Sequence, residues 1–109
     1  MSEVLNKFTE NLQKQIELYQ TIKELEKAKQ GVLVHNNIQE LDIITAQEEE
    51  ILFQISKLEA DRLHWAQFFS QELGKSAEEI TLADMVHRFP GLKDISRELE
   101  QVISELREL

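Results

Sequence analysis

The sequence contains no cysteine. This excludes disulfides, thiolate metal sites and a cysteine nucleophile, and it agrees with a cytoplasmic location. Proline occurs once and glycine three times in 109 residues. All-β folds depend on Gly and Pro turns, so a sandwich or barrel is not expected. No stretch approaches the ~20 apolar residues of a membrane span, so no membrane insertion is expected. The opening MSEVLNKFTE has no basic segment followed by an apolar one, so no secretory signal is expected. Positive charge is also scarce, with 12 Lys+Arg against 21 Asp+Glu and a net charge of -9. A nucleic-acid binder needs a basic face to meet phosphates, so nucleic acid is not an expected partner.

What is present suits one small helical domain. Hydrophobic residues make up 41% and charged residues 30%, enough to fold but not to bury a large core. The charge is uneven: residues 35–73 hold eight acids against Lys57 and Arg62, leaving -6, while residues 1–34 sum to zero. The spacing predicts a first helix over 3–34. Glu3, Glu10, Glu17 and Glu24 recur every seven residues, with Lys7 and Lys14 placed for Glu-to-Lys pairs at i+4, each contributing about 0.2–0.5 kcal/mol. Leu5, Phe8, Leu12, Tyr19 and Ile22 form the apolar side, and Val4, Leu18, Leu25 and Val32 widen it. A face this broad suits a bundle touching two partners. Gly31 either closes the helix or is tolerated in its last turns.

His35-Asn36-Asn37 is the first polar break. Asn37 is a good N-cap with Glu40 three residues on, and a second helix is expected over 38–73. Its heptad positions are Leu41, Ile44, Glu48, Ile51, Ile55, Leu58, Arg62, Trp65 and Phe69. A short turn between two long helices implies an antiparallel hairpin. Glu48 and Arg62 interrupt the apolar row as a structural polar seam. They either pair across the hairpin, Glu48 with Lys23 and Arg62 near Thr9 or Glu10, or reach water by their stems. A link over 74–91 follows, opened by Gly74 and carrying two capping-box signatures, Ser76 to Glu79 and Thr81 to Asp84. Phe89-Pro90-Gly91 ends it, and a third helix is expected over 92–109. The fold class is therefore all-α, a long antiparallel hairpin plus a third helix, a three-helix bundle with a short helical turn in the link.

Leu92, Ile95, Leu99, Val102, Leu106 and Leu109 step along the third helix at alternating threes and fours, and Ile103 widens the stripe. These are the candidate partner-binding residues. Leu99, Val102, Leu106 and Leu109 are expected on the outer side, with Leu92, Ile95 and Ile103 nearer the hairpin. The heptad is still running at Leu109, so either the natural chain ends there or more chain follows. An uncovered stripe would also draw in a second copy, making a homo-oligomer an expected possibility. Chemistry is hard to find. Asp61/His64 and Asp84/His87 place carboxylate and imidazole at i, i+3, as in di-iron bundles, but such sites need further inward carboxylates; two surface pairs are the simpler reading. There is no phosphate loop, HExxH or GxSxG, and no cofactor is expected. Trp65, Phe68 and Phe69 serve either as core at the open end of the hairpin or as a docking patch.

The chain resembles the FlgN family of flagellar export chaperones. The densest part is Lys27-Ala-Lys-Gln-Gly-Val-Leu-Val-His-Asn-Asn-Ile-Gln-Glu-Leu41. It is followed by Glu48-Glu-Glu-Ile-Leu52 with Ile55, Leu58, Glu59 and Arg62, and then by Leu73-Gly74 and Ile80-Thr-Leu82. The resemblance implies a non-enzymatic cytoplasmic chaperone that binds hook–filament junction proteins (the hook-associated proteins) and delivers them to the flagellar type III export machinery. A disordered amphipathic cargo segment would fold as a helix onto an apolar groove. Family members continue past the third helix into a region carrying cargo contacts and a gate-docking tyrosine. Here the only tyrosine is Tyr19, so no gate-docking residue carries over. A helical coiled-coil adaptor or oligomerisation module is the alternative that the heptads support equally.

Overall fold

The structure, a computed structural model, describes residues 2–108. Five α-helices make up nearly all of it: α1 (Ser2–Val34), α2 (Ile38–Ala66), α3 (Ser70–Leu73), α4 (Leu82–Arg88) and α5 (Lys93–Glu108). Single 3-10 turns cover Gln67–Phe69, Ala77–Glu79 and Pro90–Leu92. No strand occurs among the described residues.

Local chemistry sets most of the helix ends. Gly31 lies inside α1, and Asn36 is the residue that adopts the left-handed conformation, φ 55°. The Asn36 N–H donates to the Leu33 carbonyl and the Asn37 N–H to the Val32 carbonyl, both at 3.2 Å. That is the paired closure of a Schellman motif. Asn37 then caps α2, its side chain accepting from the Glu40 N–H. Gly74 closes α3 at φ 65°, a conformation that a Cβ would strain. Thr81 and Asp84 form both halves of a capping box at α4. Ser76 does not cap: its hydroxyl bonds the Glu79 carboxylate instead of a backbone N–H.

α1 and α2 run antiparallel. The Asn11 side chain donates to the Leu58 carbonyl at 2.8 Å, and Lys29 near the turn meets Glu48. α5 rises parallel to α1, because Leu99 lies beside Leu12 and Gln15 while Glu105 pairs with Lys23. The long axis of the molecule is 54 Å, and the core sits at the end away from the Asn36 turn. There Phe8, Leu12 and Ile16 of α1 meet Ala66, Phe69, Met85, Leu92, Leu99 and Val102. The half near the turn is held mainly by α1 against α2, with Ile22, Ile44 and Ile55 buried between them.

The expected second helix, 38–73, is divided by the 3-10 turn at Gln67–Phe69. Phe69 leaves helical geometry, at φ -103°, ψ 2°. This lets its ring pack edge-on against Phe8 and Phe89, at centroid separations of 6.3 and 5.2 Å. Burying the Phe8 and Phe69 rings, with Phe89 partly covered beside them, offsets the cost of one tightened turn. The expected Glu3/Lys7 and Glu10/Lys14 pairs are replaced by Lys7 with Glu10 at 3.8 Å, more than half exposed on both sides. Such a pair contributes little.

Candidate partner-binding surface

The α5 stripe is turned inward. Leu92, Leu99 and Val102 are buried, and Ile95, Ile103 and Leu106 are partly buried. Leu109 lies outside the described residues. The expectation that Leu99 and Val102 face outward is corrected: both are buried in the core cluster, while Leu106 is partly buried and outside that cluster. Two features orient the helix. The turn at Pro90–Leu92 delivers Leu92 into the core, and Lys23 of α1 donates to the Glu105 carboxylate. That contact holds the Glu105 carboxyl below its ordinary range, helped by the Gln101 amide. The molecule therefore uses this stripe for its own cohesion.

The polar seam also differs in detail. Glu48 is buried, and its partner is Lys29 at 3.2 Å, not Lys23, which is turned towards α5. Lys29 also lies 3.9 Å from Glu26. Hydrogen bonding to Glu48 pushes the Glu26 carboxyl upward, with burial second, and the Glu48 contact pushes Lys29 upward as well. Arg62 reaches neither Thr9 nor Glu10; it donates to Glu59 one turn back at 2.9 Å. Tyr19 lies beside that pair. Burial raises its hydroxyl, the Glu59 charge adds to this and Arg62 opposes it. The sequence reading missed a second polar element, Asn11 and Gln15. Both are buried, and Gln15 donates to the Asn11 side-chain carbonyl at 2.7 Å. The one available signal was their i, i+4 spacing inside an otherwise apolar face.

The remaining candidates serve structure. Asp84 binds the Thr81 N–H and, at 3.0 Å, Lys75, and these contacts hold its carboxyl low. Among the described residues no three His, Cys, Asp or Glu side chains gather where a metal ion could be held. At the open end Phe69 is core, while Phe68 is 48% exposed and clusters with His64, which it meets edge-on, and Trp65, towards which it is tilted. No helix among the described residues is long and apolar enough to cross a membrane.

An apolar face between α1 and α2 remains open. α5 contacts α1 on the side bearing Leu12, Gln20 and Lys23. On the other side of the α1–α2 seam, Thr21 and Leu25 face Ile43, Ala46 and Ile51 around a cavity of about 530 Å³. Two turns on, Leu18 faces Leu58 in a second depression of about 350 Å³. At a rotation of ~100° per residue, Leu18 and Leu25 lie on nearly the opposite side of α1 from Lys23.

A family profile described as FlgN protein matches residues 1–109, the whole chain. Neither a curated protein nor a solved structure matched it.

Proposed function

Because the chain belongs to the FlgN family of flagellar export chaperones, we propose that it binds hook–filament junction proteins in the cytoplasm. It keeps them soluble and delivers them to the flagellar type III secretion apparatus. The observation that carries this reading is the family match over every residue of the chain. Recognition is non-covalent, the folded body being the three-helix arrangement of α1, α2 and α5. Leu92, Leu99 and Val102 belong to that body, so cargo docks on a face that is already exposed and α5 need not detach. Detachment would return several large apolar side chains to water, at roughly 1.5–3 kcal/mol each.

The test is direct. The purified protein and a purified junction protein of the same flagellum should co-elute as a complex on size exclusion. Deleting the chaperone should leave that junction protein in the cell instead of in the secreted fraction. Absence of a complex, together with normal secretion in the deletion strain, refutes the proposal.

A further inference from the structure

We propose that Glu26, Lys29 and Glu48 form a proton-dependent latch on the turn half of the α1–α2 hairpin, tightened by acid and loosened as pH rises, while the core end stays closed. The two halves of the molecule are built differently. At the open end, buried side chains from α1, α2, the link and α5 form one cluster. Towards the turn the buried side chains are Ile22, Ile44, Ile55 and the charged Glu48. Leu33, Val34, Ile38 and Ile43 of the same half are each more than half exposed. A two-helix ribbon with so little apolar area out of water opens locally at a lower cost than the whole fold. What joins α1 to α2 there then decides how often it opens.

The joint sets one cation against two carboxylates. Lys29 Nζ lies 3.2 Å from Glu48 Oε1 and 3.9 Å from Glu26 Oε1, and the Glu48 side chain is 9% exposed. One ammonium neutralises one carboxylate, so the closed arrangement keeps a surplus negative charge beside a buried group. A single proton removes that surplus, and the carboxyl that takes it gains a donor for its neighbour. Opening parts the two carboxylates and returns both to water, so the closed state binds the proton more tightly than the open one. By linkage, the latch has its full strength below the ordinary carboxylate value and weakens as pH rises through the higher value of the closed pair. The Glu26 carboxyl is pushed upward, first by its contact with Glu48 and then by burial, which agrees in sign. The Glu48 contact pushes Lys29 upward, so the cation stays charged throughout. The other charges of these helices face elsewhere. Lys23 is turned to Glu105 of α5, and Lys27 bears on the same carboxyl. Glu24, Glu49 and Glu50 are exposed. Glu105 is held below its ordinary range, so its contact with α1 is intact over the pH span that loosens the latch. The depression lined by Leu25, Ile43 and Ile51 lies on the stretch that the latch closes, so its width follows the proton.

The latch concerns the hairpin alone and stands or falls apart from the chaperone reading. Its test is amide hydrogen exchange on the full chain, expressed as protection factors so that the intrinsic pH dependence of exchange is removed. Peptides covering 38–50 follow the turn half, and peptides covering 8–16 and 92–102 follow the core. From about pH 4.5 to about pH 7.5, protection of the turn half should fall at least about threefold relative to the core. E26Q keeps a donor for Glu48 at every pH, so its turn half should hold the acid level of protection throughout. K29M removes the cation that opposes proton uptake, so its fall should move to higher pH. E24Q changes an exposed glutamate of the same helix and should behave like the parent. A parent change below about threefold overturns the latch. So does an equal change in the core peptides, a parent-like pH dependence in E26Q, or a K29M fall displaced to lower pH. Should K29M not fold, E26Q alone decides.

Discussion

Leu99 separates two uses of α5. It is 7% exposed and belongs to the core cluster with Leu12, Ile80 and Val102. Leu99→Ala removes buried side-chain carbons from a site walled by three elements, so collapse around the gap is limited. Such truncations cost about 2–5 kcal/mol, against a total stability on the order of 5–15 kcal/mol for a domain of this size. Taking about 3 kcal/mol, and roughly 4 °C per kcal/mol for a chain of this length, the melting temperature should fall on the order of 12 °C. Thermal denaturation followed by far-ultraviolet circular dichroism measures this. The matched control is Leu52→Ala, at a residue 53% exposed, which should stay within about 0.5 kcal/mol of the parent. If Leu99→Ala melts with Leu52→Ala yet binds a junction protein much more weakly, the packing of α5 on α1 is not the solution arrangement. The stripe would then be an interface, and the reasoning that assigns it to the core would be refuted.

Four further predictions concern the polar contacts. A carboxyl whose folded pKa lies above its unfolded value contributes stability at low pH and loses it as pH rises through the folded value. Glu26 is raised from 4.5 by Glu48, so Glu26→Gln, which keeps a donor for Glu48, should melt higher than the parent at neutral pH. That advantage should vanish below about pH 4, and equal shifts at both pH values would contradict the shared contact. Lys29→Met leaves the Glu48 carboxylate buried without its cation and should lower the melting temperature, whereas Lys29→Met/Glu48→Leu should recover it; a double variant no better than the single one argues against the pair. Thr81→Ala removes one half of the α4 capping box and should cost about 1 kcal/mol in urea unfolding, while Asp84→Asn should weaken the loss of stability on acidification, because contacts that hold a carboxyl low contribute only above its unfolded pKa.

The sequence by itself determined the helix-forming pattern and most of the helix ends, which depend on neighbours three or four residues apart, although the Glu-to-Lys pairs and the Ser76 cap did not form as the spacing suggested. Helical periodicity, the scarcity of Gly and Pro, the Asn37 cap, the Gly74 stop and the Thr81–Asp84 box are local interactions, and each stands where the pattern puts it. The tertiary structure decided which side of each stripe becomes core. An apolar row at 3–4 spacing reads the same whether it meets its own bundle or a partner, because burial removes the same area from water in either case. Leu99 and Val102 are therefore inside, while Leu18 and Leu25, from an equally apolar row, line an open groove. The choice follows from where α5 lies around α1, and the link and the Lys23–Glu105 contact set that position. Long side chains add a second freedom. Lys29 reaches along the seam to Glu48, while Lys23 is engaged by a helix more than eighty residues away in sequence. Phe69 likewise leaves the helical path that its neighbours favour, since only the folded chain brings Phe8 and Phe89 to either side of it.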